Sequence, residues 1–255
     1  MRVDPDVAAC AALVGGGDPD RFLATMAAPP DQRAGLFVLY AFNLEIARAP
    51  YLTEEPMIAE MRLQWWRDVV ASAGSGAARA HEVAAPLHAL IAARGLPVPV
   101  LDTLIAVRRW DCWREAQDDL PGYLEATGAG LMWLAAKALG AGAEVEPASR
   151  AAGWASGLAN YLRAVPALQA RGRLPLADST RPAIAALAGQ GLERLSQARA
   201  GPVGPAAAAL RSAWLAGPIL RQVMRDPAAV AEGRLGLSEF RRRGGLLWRS
   251  AIGGW

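Results

Sequence analysis

The sequence predicts one all-α domain of about ten helices. Three observations lead there. Of the 255 residues, 56 are alanine, the residue with the best intrinsic helix propensity. Only 4 Phe and 4 Tyr accompany 9 Trp, and β-branched residues are sparse, which argues against a large sheet. Proline and glycine cut the chain into pieces of helix length, and no linker is long enough to separate domains. With 53% of its residues apolar, a chain of this size buries a substantial core and is not disordered.

The elements follow from these breakers. Asp18-Pro19 opens a short helix through Met26, stopped by Pro29-Pro30. Asp31 is the expected cap of an apolar helix carrying Leu36, Phe37, Leu39, Tyr40, Phe42 and Ile46, which ends at Pro50. Thr53 is expected to cap the next helix, with Glu54 and Glu55 at its positive end and the glycine-rich SAGSG stretch at 72–76 as its stop. A helix from His81 to Arg94 finishes at Gly95, and the one after Pro97 runs to about Arg114. Asp119 caps a helix ending near Gly140. Pro147 starts another, whose Trp154, Leu158, Tyr161, Leu162 and Val165 recur at intervals of three and four and so share a buried face. The pieces after Pro182, Pro205 and Pro218 also read as helices. The domain is expected to span residues 1–255, with its core at about 19–235 and a basic, aromatic tail over 236–255.

Composition also excludes function classes. The net charge is only +3, and 26 arginines and a single lysine are spread along the chain, so no nucleic-acid partner is expected. Two cysteines and two histidines lie too far apart for a disulfide framework or the usual zinc spacings. No run approaches the roughly 20 apolar residues that span a bilayer. Asp4 and Asp6 interrupt any signal-peptide pattern at the N-terminus. The expected location is the cytoplasm, with peripheral contact at the inner membrane.

Four segments carry a resemblance. LFVLYAFNLEIARAPY (Leu36–Tyr51) is similar to a helix of pattern LYAFCR..DD..D, and AHEVAAPLHALIAARGLP (Ala80–Pro97) to HP...AL......LP. The pair LIAVRRWDCWREAQDDL and YLEATGAGLMWLAAKALG resembles the stretch that reaches Y....AG.VG. GLANYLRAVPALQARGRLPL (Gly157–Leu176) aligns without a gap to LTNILRDV.ED...GR.YLP. Together, over roughly residues 19–250, they resemble the squalene/phytoene synthases, the all-α head-to-head prenyltransferases, and imply an isoprenoid-synthase-like helical bundle.

The departures from that family bear on function. By the resemblance, two aspartate-rich helices hold magnesium and two prenyl diphosphates, because diphosphate leaves only when hard cations, bound by carboxylate oxygens, neutralise it. Here the aspartate positions of the first motif hold Ala47, Arg48 and Tyr51. Those of the second hold Ala164, Ala167 and Leu168, around Pro166. Glu45 lies about 160–200° around the helix from residue 47 and faces elsewhere. Asp118-Asp119 reads as a helix cap, Asp111 as the partner of a local ion pair with the preceding arginines, and Asp68 as a solvated position. No catalytic residue, metal ligand or cofactor is expected, and magnesium belongs only to the alternative reading of a working prenyltransferase.

What survives of the second motif is basic. Asn160, Arg163, Arg171 and Arg173 form either a retained anion site or a solubilising face. The family's cavity is expected to persist as an apolar pocket for a lipid or isoprenoid, lined by Tyr40, Tyr123, Trp133 and Tyr161, which otherwise read as ordinary core. Ala47 and Ala164 leave room in it, Tyr51 and Leu168 narrow its former diphosphate end, and the arginines give it a rim with no balancing carboxylates. His81 and His88, seven residues apart, read as packing or capping groups, and Cys112 has no histidine to activate it.

In the tail, Arg241, Arg242, Arg243, Trp248 and Trp255 interleave charge with apolar residues, as in a segment that touches an anionic membrane or a last helix with a solvated basic face. Loss of the aspartates resembles the non-catalytic branch of the family, whose mitochondrial representative assembles respiratory complex I. The chain is accordingly read as a non-catalytic scaffold with a respiratory-complex assembly partner, and a prenyl-diphosphate transferase is the competing reading.

Overall fold

The computed structural model describes residues 4–73, 80–113 and 115–255, and the architecture is all-α. Among the described residues, the nearest approach to a strand is an isolated parallel bridge between Ala116 and Leu174. Proline sets the starts. Helices α1 (Pro5–Gly17), α2 (Pro19–Met26), α3 (Pro30–Arg48) and α4 (Pro56–Ala71) each begin on one, where the missing N–H costs no helical bond. After α5 (Ala84–Arg94), Gly95 turns into the left-handed region at φ 57° and ends the helix as expected.

Several boundaries differ from the expectation. Helix α1 was not foreseen, and it buries Cys10 and Val14 beside α3. The N-cap of α3 is Pro29 rather than Asp31, and that of α4 is Glu55 rather than Thr53. Thr53 instead accepts the Glu55 N–H through its hydroxyl at 3.2 Å, holding the turn before the helix. His81 precedes α5: its Nδ1 accepts the Val83 N–H at 3.1 Å and its ring packs on Trp65 and Trp66, so it shares no helix face with His88. The segment after Pro97 tightens from α6 (Val98–Ala106) into a 3-10 turn, Val107–Cys112, that carries Asp111 inward. Residues 74–76 of the expected glycine-rich stop, and Arg114, lie outside the described residues.

Asp119 does cap α7 (Leu120–Leu124), accepting the Gly122 N–H at 2.9 Å. A π-helical turn, Glu125–Ala129, then leads into α8 (Gly130–Ala138). The long α9 (Glu146–Ala170) runs through the core with Trp154 buried, and continues past Pro166 although proline removes one of its hydrogen bonds. It packs against α8 and against α10 (Arg181–Ala200), and α10 packs on α12 (Ala216–Arg225). The short α11 (Ala207–Leu210) and α13 (Ala228–Ala231) fill corners, and α14 (Glu239–Ala251) closes the described chain. One contiguous apolar core runs from Cys10 to Leu246. Among the described residues, no helix is long and apolar enough to cross a membrane.

Candidate functional site: a cavity between the two motif helices

A cavity of about 440 Å³ lies between α2, α3, the 107–112 turn, the α7–α8 segment and α9. It is built from the two motif helices. Ala47 and Tyr51 come from the end of α3 and the turn after it, and Asn160, Tyr161, Arg163, Ala164 and Leu168 come from one side of α9. Tyr123 completes this set, so eight of the residues singled out from sequence meet at one site. Gly128 and Gly157 form part of its wall.

Four of the expected participants stand elsewhere. Trp133 is buried behind the cavity, with Lys137 Nζ 5.8 Å from its ring, because its position on α8 points it into the core. Tyr40 lines only a narrow neighbouring gap beside Ser212, under the Arg21 guanidinium. Arg173 is no anion site. It is only 8% exposed, and it donates to the carbonyls of Trp110 (3.1 Å), Asp111 and Trp113 while stacking on the Trp110 ring. Its Nη1 and Nη2 fasten the end of the 107–112 turn, where free carbonyls need donors. Arg171 is not among the lining residues either, and its guanidinium lies 4.6 Å from the Tyr51 ring centroid.

The cavity's electrostatics depend on residues whose roles the sequence did not disclose. Arg163 donates to Asp20 at 3.2 Å, across 143 residues of chain, and Arg242 of α14 forms an ion pair with Asp20 at 3.1 Å. Asp18 holds Arg21 at 2.8 Å. On the opposite wall, Asp111 is 2% exposed and receives both Arg108 (3.2 Å) and the Tyr123 hydroxyl (3.0 Å). Arg108 also donates to that hydroxyl at 2.6 Å. Of the rim arginines expected without balancing carboxylates, Arg163 is corrected, since it pairs with Asp20. Arg173 is spent on carbonyls and Arg171 on the Tyr51 ring, while Asp18 and Asp111 balance two further arginines, Arg21 and Arg108. Asp111 forms the local ion pair with Arg108 expected from sequence, and it is also the buried centre of a network that takes in Tyr123. Its place between Trp110 and Cys112, two residues that commonly bury, was the available signal.

Burial pushes the Asp111 carboxyl above its ordinary range, and Arg108 and Tyr123 pull it back. Burial also raises the Tyr51 phenol to about 12, with Asp111 adding to the rise and the arginines opposing it. Burial likewise drives the Cys112 thiol up to about 11, so it stays protonated at neutral pH and is no nucleophile. Asn43 is 5% exposed, and its Oδ1 faces no partner although the residue lines the cavity. A buried acceptor left open at a cavity wall is a place for a ligand group or a water.

A family model for squalene/phytoene synthases matches residues 14–243. The chain belongs to the squalene/phytoene synthase family. Its fold matches a dehydrosqualene synthase with a TM-score of 0.78, at 15% identity over 97% of this chain and 96% of that one. The squalene synthase HpnC from Alicyclobacillus acidocaldarius matches with a TM-score of 0.70, at 17% identity over 91% and 95%. In sequence, the chain is 28% identical over 162 residues to the Bos taurus protein named NADH dehydrogenase (ubiquinone) complex I, assembly factor 6, and 27% over 161 residues to that of Homo sapiens. Each match takes in 62% of this chain, which spans only about half (48%) of those relatives.

The magnesium that squalene/phytoene synthase chemistry implies does not fit this donor set. No group of three or more His, Cys, Asp or Glu residues could hold a metal among the described residues. The three cavity carboxylates are already committed to arginines. Glu45, the remaining acid near the first motif, pairs with Arg48 and lines a separate groove with Trp65 and His81.

Proposed function

We propose that this squalene/phytoene synthase family member is a non-catalytic scaffold acting in assembly of a respiratory NADH dehydrogenase complex. One observation carries the reading: the cavity's aspartates sit in arginine pairs, while Ala47, Tyr51, Ala164 and Leu168 stand where the family's metal ligands are expected. A departing diphosphate gains negative charge and needs preorganised cations with charge to spare, often the largest catalytic term, whereas the cavity arginines Arg21, Arg108 and Arg163 are already paired with aspartates. The named complex I relatives support the assembly role.

Two measurements test it. Incubated with farnesyl or geranylgeranyl diphosphate and magnesium, the purified protein is expected to release no pyrophosphate above a heat-killed control. Release that depends on magnesium overturns the non-catalytic reading. Affinity capture from solubilised membranes is expected to enrich subunits of the NADH dehydrogenase complex, and their absence overturns the assembly role. The cavity, with its paired charges and its Leu124, Leu131 and Leu168 walls, suits an uncharged lipid or isoprenoid. Native mass spectrometry is expected to show such a molecule lost on Ala164→Phe, which fills the space, and kept on Arg163→Ala, which leaves Asp20 with Arg242. Apo protein throughout would make the cavity a vestige of the fold.

A further inference from the structure

Helix α14 is amphipathic the wrong way round. Among its apolar residues only Leu246 is buried, while Phe240 (88% exposed), Leu247 (70%), Trp248 (69%) and Ile252 just beyond its end (61%) face out. At 100° per residue these four cover an arc of about 140°. Two of its four arginines are turned the other way. Arg242 reaches Asp20, and Arg249 donates to the Trp255 carbonyl at 2.5 Å. The helix runs unbroken through Gly244-Gly245. The expected membrane-contact set is thereby corrected: Arg242 and Trp255 serve the fold, the latter half-buried beneath Arg199.

Charge identifies what covers the outward face. Residues 235–255 hold four of the chain's 27 basic residues and one of its 24 acidic ones, leaving 23 of each elsewhere. The formal excess of +3 therefore lies in this segment, and with Arg242 and Arg249 turned inward it is Arg241 and Arg243 that carry positive charge on the outer face. The single acid, Glu239, is taken by Arg242 and Arg243, and Arg241 emerges beside Trp248 within the apolar arc. A protein partner would have to supply a preformed groove for the side chains of this helix. A bilayer surface needs none, because lipid moulds around apolar and indole groups while arginines extend to phosphate.

We propose that the outer face of α14 is a membrane-docking surface for anionic lipid, with Phe240, Leu247, Trp248 and Ile252 entering the interface and Arg241 and Arg243 contacting headgroup phosphates. It does not depend on the assembly role. The test is flotation of the full-length protein with vesicles of phosphatidylcholine containing phosphatidylserine at about a third of the lipid. The parent protein is expected to float, less so in high salt and less so with pure phosphatidylcholine. The triple variant Phe240→Ser, Leu247→Ser, Trp248→Ser changes only exposed side chains, so its melting curve should match the parent's. Its vesicle affinity is expected to fall at least about tenfold, and Arg241→Gln with Arg243→Gln should abolish the preference for phosphatidylserine. A triple variant that floats like the parent, or a parent that stays unbound, overturns the proposal. So does a parent that dimerises through Trp248 in solution without binding vesicles, since the face would then belong to a second copy.

Discussion

Asp111→Ala is expected to lower the unfolding free energy by about 3–5 kcal/mol, because it strands a buried arginine charge rather than merely deleting a contact. The carboxylate is 2% exposed and serves both Arg108 and the Tyr123 hydroxyl. Without it, Arg108 keeps only the phenol oxygen, and its Nε is already without a partner. For a domain of this size, the loss corresponds to a fall in Tm on the order of 10 °C. Two further variants separate charge from packing. Tyr123→Phe removes two hydrogen bonds, one donated to Asp111 and one accepted from Arg108, and should cost about 2 kcal/mol. Arg108→Met combined with Asp111→Leu removes both charges together, and should recover much of what Asp111→Ala loses. Thermal melts by circular dichroism decide it. A Tm within about 2 °C of the parent for Asp111→Ala would mean that water reaches Arg108 and screens the network.

What the sequence discloses and what it withholds divide along the range of the forces involved. Helix starts at Pro19 and Pro147 and the stop at Gly95 were legible, because proline and glycine act on their own backbone. Caps were less so: Thr53 and Asp31 have the right chemistry, but Glu55 and Pro29 hold the cap positions. Helix α1 escaped notice because PDVAACAALVGGG has no polar face to give it a period and ends in three glycines. The last of those glycines has a use that only the fold explains, since a Cβ on Gly17 would stand 2.9 Å from Leu44.

The cavity divides the same way. Ala47, Ala164 and Leu168 meet there because each motif's spacing runs along one helix, where a period of 3.6 residues fixes direction. The charge balance rests on pairs such as Asp20 with Arg163, far apart in the chain, and no local pattern marks them. Arg173 shows the converse. Its motif position was right, but the carbonyls of the 107–112 turn took its donors.

Gly153→Ala tests the packing on which the cavity wall depends, and its sign is set by two opposed effects. Alanine in a helix interior is favoured over glycine by up to about 1 kcal/mol. At Gly153, however, a Cβ would lie 2.4 Å from the Gly128 carbonyl oxygen and 2.8 Å from the Ala129 Cα. These are backbone atoms that no rotamer change can move. Gly128 and Gly157 complete the crossing, with the Gly128 Cα 3.2 Å from a Cβ placed on Gly157. Sterics win, and Gly153→Ala is expected to destabilise by about 3 kcal/mol, at the upper end for overpacked cores. Gly189 on α10 is the control: its Cβ would meet only the Met224 sulfur at 3.9 Å, so Gly189→Ala should stabilise by about 0.5–1 kcal/mol. Opposite shifts in Tm from the same chemical change would isolate the crossing as the cause. Equal shifts would mean that α9 and the π-helical turn slide apart freely. Because Gly128 and Gly157 also line the cavity, the separation that accommodates the added methyl group must enlarge the space between the motif helices. Gly153→Ala should therefore weaken retention of any co-purifying lipid along with the fold, whereas Gly189→Ala should leave it unchanged.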